Sequence, residues 1–528
     1  MTLATLTALW LAVFANWPLW RALADLPEMA SARGALFIAG FVLAVAALTL
    51  ALLALFAWRW TIKPVAALLL VAAASSAHFM GSYGIVIDPS MMVNVLQTDL
   101  RETRDLLSLR LLASLFVLAG LPLAWLWRAR VQARPLLPQL GRNLLAIGVA
   151  FALVAAIVLA LFADLSATMR NHKSLRYLIN PLNAVFALVV VATDSGARPK
   201  GPPQPIGLDA SVAPRPAGGK PPLLMFMIGE TARADHFSLN GYSRPTNKEL
   251  ATLDVTSFTN VSSCGTNTAA SLPCMFSHLG KKGFESRKQD HENLLDLLQR
   301  AGLAVLWIDN QAGCKGVCER IPNAMTNPAD NKLCSDGECL DDALLLDLDA
   351  RLAALPQARR DKGVVLVLHQ MGSHGPAYFK RSPPQRKPFQ PECTTNVLQQ
   401  CERDALVNAY DNSIAYTDHV LAQGIAWLTR QASSYVPTLL YVSDHGESLG
   451  ENNLYLHGLP YALAPREQTH VPMLLWFGAA TGSRGCLQAR RDAALSHDNL
   501  FHTVLGLAGV SASEYKPELD VLAPCRAR

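Results

Sequence analysis

The sequence predicts a two-part molecule: five membrane-spanning helices, then an α/β domain with a mainly parallel sheet. Three observations carry this reading. Five stretches in the first 165 residues contain no Asp, Glu, Lys or Arg, and each is close to the roughly 20 residues that cross a bilayer. Beyond about Pro221 the composition becomes that of a globular domain, in which short apolar runs alternate with helical stretches. All ten cysteines lie at or beyond Cys264, which points to disulfides and an oxidising compartment for that part alone.

The five candidate spans are 1–20, 35–58, 64–80, 111–127 and 144–163. A sixth apolar stretch, 181–193, is too short to cross comfortably; it reads either as a helix along the membrane surface or as a buried helix of the soluble part. Ala22-Leu23-Ala24 resembles a signal cleavage site, but no basic residue precedes the first apolar run, so an uncleaved first span is expected. Arg59 and Lys63 follow the second span, and Arg128, Arg130, Arg134 and Arg142 follow the fourth. The positive-inside rule makes both loops cytoplasmic, which puts the N-terminus inside and the C-terminal domain outside. The net charge of +5 is modest and dispersed, and gives no case for a nucleic-acid partner.

The loop at about 81–110 then lies on the same side as the globular domain. Its Asn94, Thr98 and Glu102 are spaced to share one face of a helix, as a solvated stripe or as a substrate contact. The expected organisation is a membrane domain over 1–165, a surface helix and Pro/Gly-rich linker over 166–222, and a globular domain over 223–528.

In the globular part the apolar runs 223–228, 304–308, 364–368, 438–442 and 472–477 read as buried strands, with helices at 293–301 and 404–429. Ligands of such sheets gather at the carboxyl ends of the strands. Polar residues recur there: Glu230, Asp309, His369 with His374, and Asp444-His445 beside Glu447. Glu230, Asp444 and His445 make a carboxylate–carboxylate–imidazole set that suits zinc, with Thr268 available for the fourth position. A threonine hydroxyl at the start of a helix is well placed for phosphate, and a bound metal would make it a competent nucleophile. Helix capping is the plainer role for the same residue.

His374 and His457 could hold a phosphate, protonate a leaving group or bind a second metal. His369, His470, His497 and His502 read as hydrogen-bonded structure, and Lys315 either meets an anionic substrate or is an ordinary surface lysine. Five local cysteine pairs are the simplest assignment: Cys264/Cys274, Cys314/Cys318, Cys334/Cys339, Cys393/Cys401 and Cys486/Cys525. A zinc site on Cys314, Cys318, Cys334 and Cys339 competes with it, against the absence of C-x-x-C spacing.

Glu230-Thr231-Ala232-Arg233, Cys264-Gly265-Thr266-Asn267-Thr268, Gly372-Ser373-His374-Gly375-Pro376, Ser443-Asp444-His445-Gly446-Glu447 and Tyr455-Leu456-His457-Gly458 together resemble the phosphoethanolamine transferases of Gram-negative bacteria. The resemblance is to their lipid A branch, which includes the mobile colistin-resistance enzymes. It implies an alkaline-phosphatase/sulfatase-like catalytic domain in the periplasm, tethered to the inner membrane. It also implies zinc on Glu230, Thr268, Asp444 and His445, with one tight site and room for a second, weaker one. Phosphatidylethanolamine would be the donor, lipid A the acceptor, and a phosphothreonine at Thr268 the intermediate, giving resistance to cationic peptides such as polymyxin. Asn94, Thr98, Glu102, Lys315, His374 and His457 match substrate-contacting positions, whereas a serine common in the family is Ala312 here. The chain is read as a monomer among membrane lipids. A phosphoglycerol transferase, a core-sugar or glycan transferase and a phosphodiesterase or sulfatase-type hydrolase would share this fold. A membrane-tethered sensor with a structural metal is the reading from a different class.

Overall fold

The computed structural model describes residues 1–98, 100–197, 201–326, 332–335, 337–478 and 484–526, with the side chains of 100–102 and 194–197 outside that description. The chain forms two compact units. One comprises Met1–Val93 and Leu107–Ser195, the other Asn94–Leu106 and Gly196–Arg528.

In the first unit, α1 (Thr2–Val13) and α2 (Trp17–Ala24) meet at 43°, and the pair is together long and apolar enough for one span. Four further helices meet that test among the described residues: α3 (Ala32–Leu55), α4 (Ile62–Tyr83), the helix Leu109–Arg128 and the helix Leu136–Ala160. The bend falls where Asn16, fully buried, turns its amide to the Leu11 carbonyl at 2.9 Å. Asn180, also buried, donates to the carbonyls of Ala15 at 3.0 Å and Ala73 at 2.7 Å, which satisfies polar groups that lipid could not. The apolar stretch near 181–193 forms the helix Leu182–Ala197, which belongs to this unit up to Ser195. It is therefore not a buried helix of the soluble domain.

The second unit is built on an eight-stranded sheet. In chain order its strands are β1 (Pro222–Gly229), β2 (Val255–Ser262), β3 (Ala304–Asp309), β4 (Asn323–Met325), β5 (Val364–His369), β6 (Val436–Ser443), β7 (His470–Phe477) and β8 (Leu495–Ser496). They lie in the order β8-β2-β7-β6-β1-β5-β3-β4, and only β7 runs antiparallel to its neighbours. Both faces are covered, which is why β1 is apolar throughout. Leu224, Phe226 and Ile228 join a core with Phe276, Leu294 and Phe501 on one face. On the other face Met225 and Met227 lie against Gly424 of the long helix Arg403–Arg430, where a Cβ would stand 3.0 Å from the Met225 sulfur.

Part of the expected linker carries structure. Gln204 N donates to the Asp290 carbonyl at 2.8 Å, Ile206 is buried in the core, and Ser211–Val212 pairs antiparallel with Val510–Ser511. An apolar side chain with a core to enter outweighs the surrounding Pro and Gly.

Candidate active site

Strand register brings the candidate residues together. Gly229 of β1 pairs with Ser443 of β6, so Glu230 and Asp444 leave the sheet side by side. Ile228 and Asp309 both pair with His369, which sets the ends of β3 and β5 at the same level. After Glu230 the backbone turns through Thr231 at φ +54°, a left-handed conformation rarely adopted by a β-branched residue. Tyr410 Oη donates to the Thr231 carbonyl at 2.7 Å and Ala232 N–H to Ser443 Oγ at 2.8 Å, which holds that turn. Gly372 packs against it at φ +54°; a Cβ there would stand 2.7 Å from the Glu230 carbonyl oxygen.

Thr268 arrives from a different direction, as the first residue of the helix Thr268–Met275, whose N-cap Asn267 accepts from Ala270 N–H at 2.9 Å. Its Oγ1 donates to Glu230 Oε2 at 3.0 Å and lies 3.4 Å from His445 Nε2. His445 Nε2 is 3.2 Å from Glu230 Oε1 and 3.4 Å from Asp444 Oδ2. Glu230, Asp444 and His445 are fully buried, and each offers a ligand atom within 4.8 Å of the other two. Glu230 Oε1 and Asp444 Oδ2 have no hydrogen-bond partner. Two buried carboxylates aim these oxygens at one imidazole nitrogen, 3.2 and 3.4 Å away, that hydrogen-bonds neither, and a divalent cation bound among them would compensate both charges.

The electrostatics agree. Burial and the Glu230 charge push Asp444 up, while the His445 charge only partly opposes them. Burial would lower His445, yet Asp444 and Glu230 outweigh it and raise its pKa to about 10. Burial would raise Glu230, but the His445 imidazole 3.2 Å from Oε1 and the charges of His374 and His457 hold it below the usual carboxylate range.

The imidazoles of His374 and His457 flank this cluster. Their ring centroids are 5.7 Å apart, and His457 lies 4.4 Å from His445. Glu447 is not one of the cluster's donors, although it follows Asp444-His445 closely. Its carboxylate pairs with His457 Nδ1 at 2.7 Å and accepts from Tyr378 Oη at 2.5 Å.

A family model described as phosphoethanolamine transferase EptA/EptB matches residues 45–195, and a sulfatase model matches 222–510. The chain is 40% identical over 493 residues to phosphatidylethanolamine transferase Mcr-1 of Escherichia coli, covering 90% of each. It is 39% identical to phosphoethanolamine transferase EptA of Salmonella typhimurium, covering 90% of this chain and 87% of the relative. The chain belongs to the phosphoethanolamine transferase family. In structure it is similar to the integral membrane lipooligosaccharide phosphoethanolamine transferase A of Neisseria meningitidis, with a TM-score of 0.93, 34% identity and coverage of 100% of this chain and 99% of that one.

The other expected contact residues of this transferase bond elsewhere. Among the described residues Lys315 Nζ bonds to carbonyls, at 3.3 Å from Ala312 and 3.5 Å from Gln97. Thr98 Oγ1 donates to the Asn94 carbonyl at 2.9 Å. One continuous helical face for Asn94, Thr98 and Glu102 does not form: one helix ends at Gln97 and the next, Leu100–Leu106, begins afresh. The side chain of Glu102, and Asp99 altogether, lie outside the described residues. Disulfides join Cys264–Cys274, Cys314–Cys318, Cys334–Cys339, Cys393–Cys401 and Cys486–Cys525. Cys314, Cys318, Cys334 and Cys339 are thus paired with one another and not arranged as zinc thiolates.

Gln311 escaped sequence reasoning, whereas His497 has the hydrogen-bonded structural role expected of it. Gln311 Nε2 donates to Glu230 Oε2 at 2.9 Å; its one signal was its place after the Asp309-Asn310 strand end. His497 is a link between elements. Its Nδ1 accepts from Cys264 N–H at 3.0 Å, and its Nε2 lies 3.0 Å from the Ser443 carbonyl. Burial lowers its pKa to about 3, so the ring is neutral and donates from Nε2.

Proposed function

We propose that this chain transfers phosphoethanolamine from phosphatidylethanolamine to a phosphate of lipid A, with Thr268 as the nucleophile and a phosphothreonine as the intermediate. Family membership supports the reaction class. The observation that carries the mechanism is the Thr268 hydroxyl 3.0 Å from a buried carboxylate and 3.4 Å from His445, beside two orphaned carboxylate oxygens. Glu230, Asp444, His445 and Thr268 would hold zinc, which when bound stabilises an alkoxide at neutral pH and offsets charge on a phosphoryl oxygen.

The remaining work falls to side chains. Thr268 Oγ1 already donates to Glu230 Oε2, so its proton has an acceptor as the oxygen attacks phosphorus. The bond from phosphorus to the diacylglycerol oxygen breaks, and that oxygen takes a proton from an imidazole. His457 suits this role, because Glu447 on its Nδ1 fixes the ring and leaves Nε2 for the substrate. His374 and Lys315 are assigned to the anionic oxygens of the headgroup. In the second half-reaction a lipid A phosphate oxygen attacks phosphorus and gives its proton to His457, the bond from phosphorus to Thr268 Oγ1 breaks, and that oxygen recovers its proton from Glu230. Both substrates are lipids, in keeping with a catalytic unit borne on membrane spans. We place that unit in the periplasm, with the N-terminus in the cytoplasm; the flanking Arg and Lys and the five disulfides support this orientation. Ethanolamine added to lipid A lowers its negative charge and so weakens the attraction of cationic peptides such as polymyxin.

Mass spectrometry of lipid A from cells expressing the chain, beside a Thr268→Ala control, tests the proposal. Addition of phosphoethanolamine by the wild type alone is the expected result. No addition by the wild type removes the lipid A assignment, and addition by the variant removes the nucleophile. Steady release of ethanolamine phosphate without acceptor would favour the hydrolase reading that a sulfatase-like fold also accommodates.

A further inference from the structure

Residues Asn94–Leu106 belong to the catalytic unit, and a buried charge network holds them there. Asp105 and Arg381 are 3% and 5% exposed. Arg381 uses all three sides of its guanidinium. Nε donates to the His374 carbonyl at 2.8 Å, Nη1 to Glu338 Oε2 at 2.8 Å and Nη2 to Asp105 Oδ2 at 2.9 Å. Lys380 pairs with the other Asp105 oxygen, and Asn396 Nδ2 donates to the Asp105 carbonyl at 2.8 Å. Toward the start of the segment the Lys315 ammonium lies 3.5 Å from the Gln97 carbonyl.

A guanidinium is a rigid planar fork. With Nε on His374 and Nη1 on Glu338, its Nη2 edge faces one fixed direction, and that edge takes Asp105. Glu338 is itself held in a hairpin closed by the Cys334–Cys339 disulfide. Buried ion pairs add little stability over apolar packing, but they specify geometry. Here the geometry joins the loop bearing His374 to the segment whose Gln97 carbonyl meets Lys315, both side chains assigned above to the headgroup.

We propose that Asp105 is a positioning residue: seated on Arg381, it keeps the segment with Asn94 and Thr98 in register with His374, so that a lipid phosphodiester is aligned for attack. This rests on the reading of the chain as a phosphoethanolamine transferase with a lipid donor. Arg381 is the socket and keeps His374 in place without Asp105. Loss of Asp105 therefore frees the segment while sparing the chemistry at Thr268.

The test uses the full chain purified in detergent and two substrates. One is phosphatidylethanolamine in mixed micelles, followed by diacylglycerol release; the other is p-nitrophenyl phosphoethanolamine, a soluble diester without acyl chains. For Asp105→Ala we expect kcat/KM on the lipid to fall about tenfold to a hundredfold, carried mainly by KM, with turnover of the soluble diester within about twofold of wild type. Arg381→Ala should lower both activities, because the His374 carbonyl loses its partner, and Asp105→Glu should restore part of the lipid activity. Equal losses on both substrates, or no loss on the lipid, overturn the proposal. If Asp105→Ala does not fold, Asp105→Asn, which keeps an acceptor oxygen, is held to the same split at smaller size. A wild-type chain that releases no diacylglycerol overturns the donor assignment and this inference with it. An active wild type matched by Asp105→Ala overturns the inference alone.

Discussion

Replacing His497 with alanine should disturb the nucleophile from behind, because that imidazole ties the Thr268 loop to the strand that delivers Asp444. The change strands two buried backbone groups, the Cys264 N–H and the Ser443 carbonyl, each 3.0 Å from a ring nitrogen in the wild type. Each orphaned group costs about 1–3 kcal/mol, so the fold should lose roughly 2–6 kcal/mol. At about 2 °C per kcal/mol in a domain of this size, the unfolding midpoint of the catalytic unit should drop by roughly 4–12 °C. A nucleophile misplaced by an ångström also loses rate, by about a hundredfold. Thermal unfolding of the full chain in detergent reads the first effect, and the single-turnover rate at which Thr268 gains phosphoethanolamine mass reads the second. A midpoint within about 1 °C of wild type together with an unchanged rate would show that His497 does not hold this loop.

Three further outcomes follow from the same geometry. Glu447→Gln removes the charge that orients His457 while keeping its size, so kcat should fall roughly a hundredfold with little change in unfolding midpoint; equal kcat would remove the Glu447–His457 pair from proton transfer. Glu230→Gln should fail to retain zinc through dialysis against a mild chelator, as measured by elemental mass spectrometry, whereas the wild type retains it; equal zinc in both would place the metal elsewhere. The folded domain should also lose stability in acid. Burial lowers His497 to about 3 and His502 to about 4, both below the ordinary histidine value. Their contribution is complete above that ordinary value, about 6.5, and is lost as pH falls through it toward the lowered ones. Asp418 has the opposite sign: burial raises it to about 7, so its contribution is complete below the ordinary aspartate value, about 3.9, and is lost as pH rises from there to about 7, one group against the two histidines. Unfolding midpoints measured from pH 4 to 8 should therefore fall toward the acid end, and His502→Gln should flatten part of that slope.

The strands that carry the site were legible because each is a short, almost wholly apolar run alternating with helical stretches, the pattern of a sheet buried on both faces. Strand β2 was not, since Thr256, Ser257, Thr259 and Asn260 interrupt its apolar residues, and its pairing with β7 is itself broken by a bulge that leaves Thr259 and Asn260 without partners on β7. The membrane spans were legible from the same physics, lipid tolerating no unpaired charge. The bend at Asn16 was not, because it depends on a partner, Asn180, far along the chain.

By itself the sequence determined which chemistry was available. Strand ends bearing Glu230, Asp444 and His445, and a helix start bearing Thr268, are local facts, written in residues that adjoin apolar runs. Tertiary structure decided which of those groups meet. Register sets Glu230 beside Asp444. The turn at Gly446, whose N–H bonds to the Gln468 carbonyl at 3.0 Å, sends Glu447 away to His457. Packing also enlists Gln311 and His497, and assigns residues 94–106 to the catalytic unit through Asp105 and Arg381. The physical reason is range: burial and periodicity act over a few residues, whereas an ion pair such as Arg381 Nη1 to Glu338 Oε2, 2.8 Å long, exists only after the chain has folded to bring distant residues together.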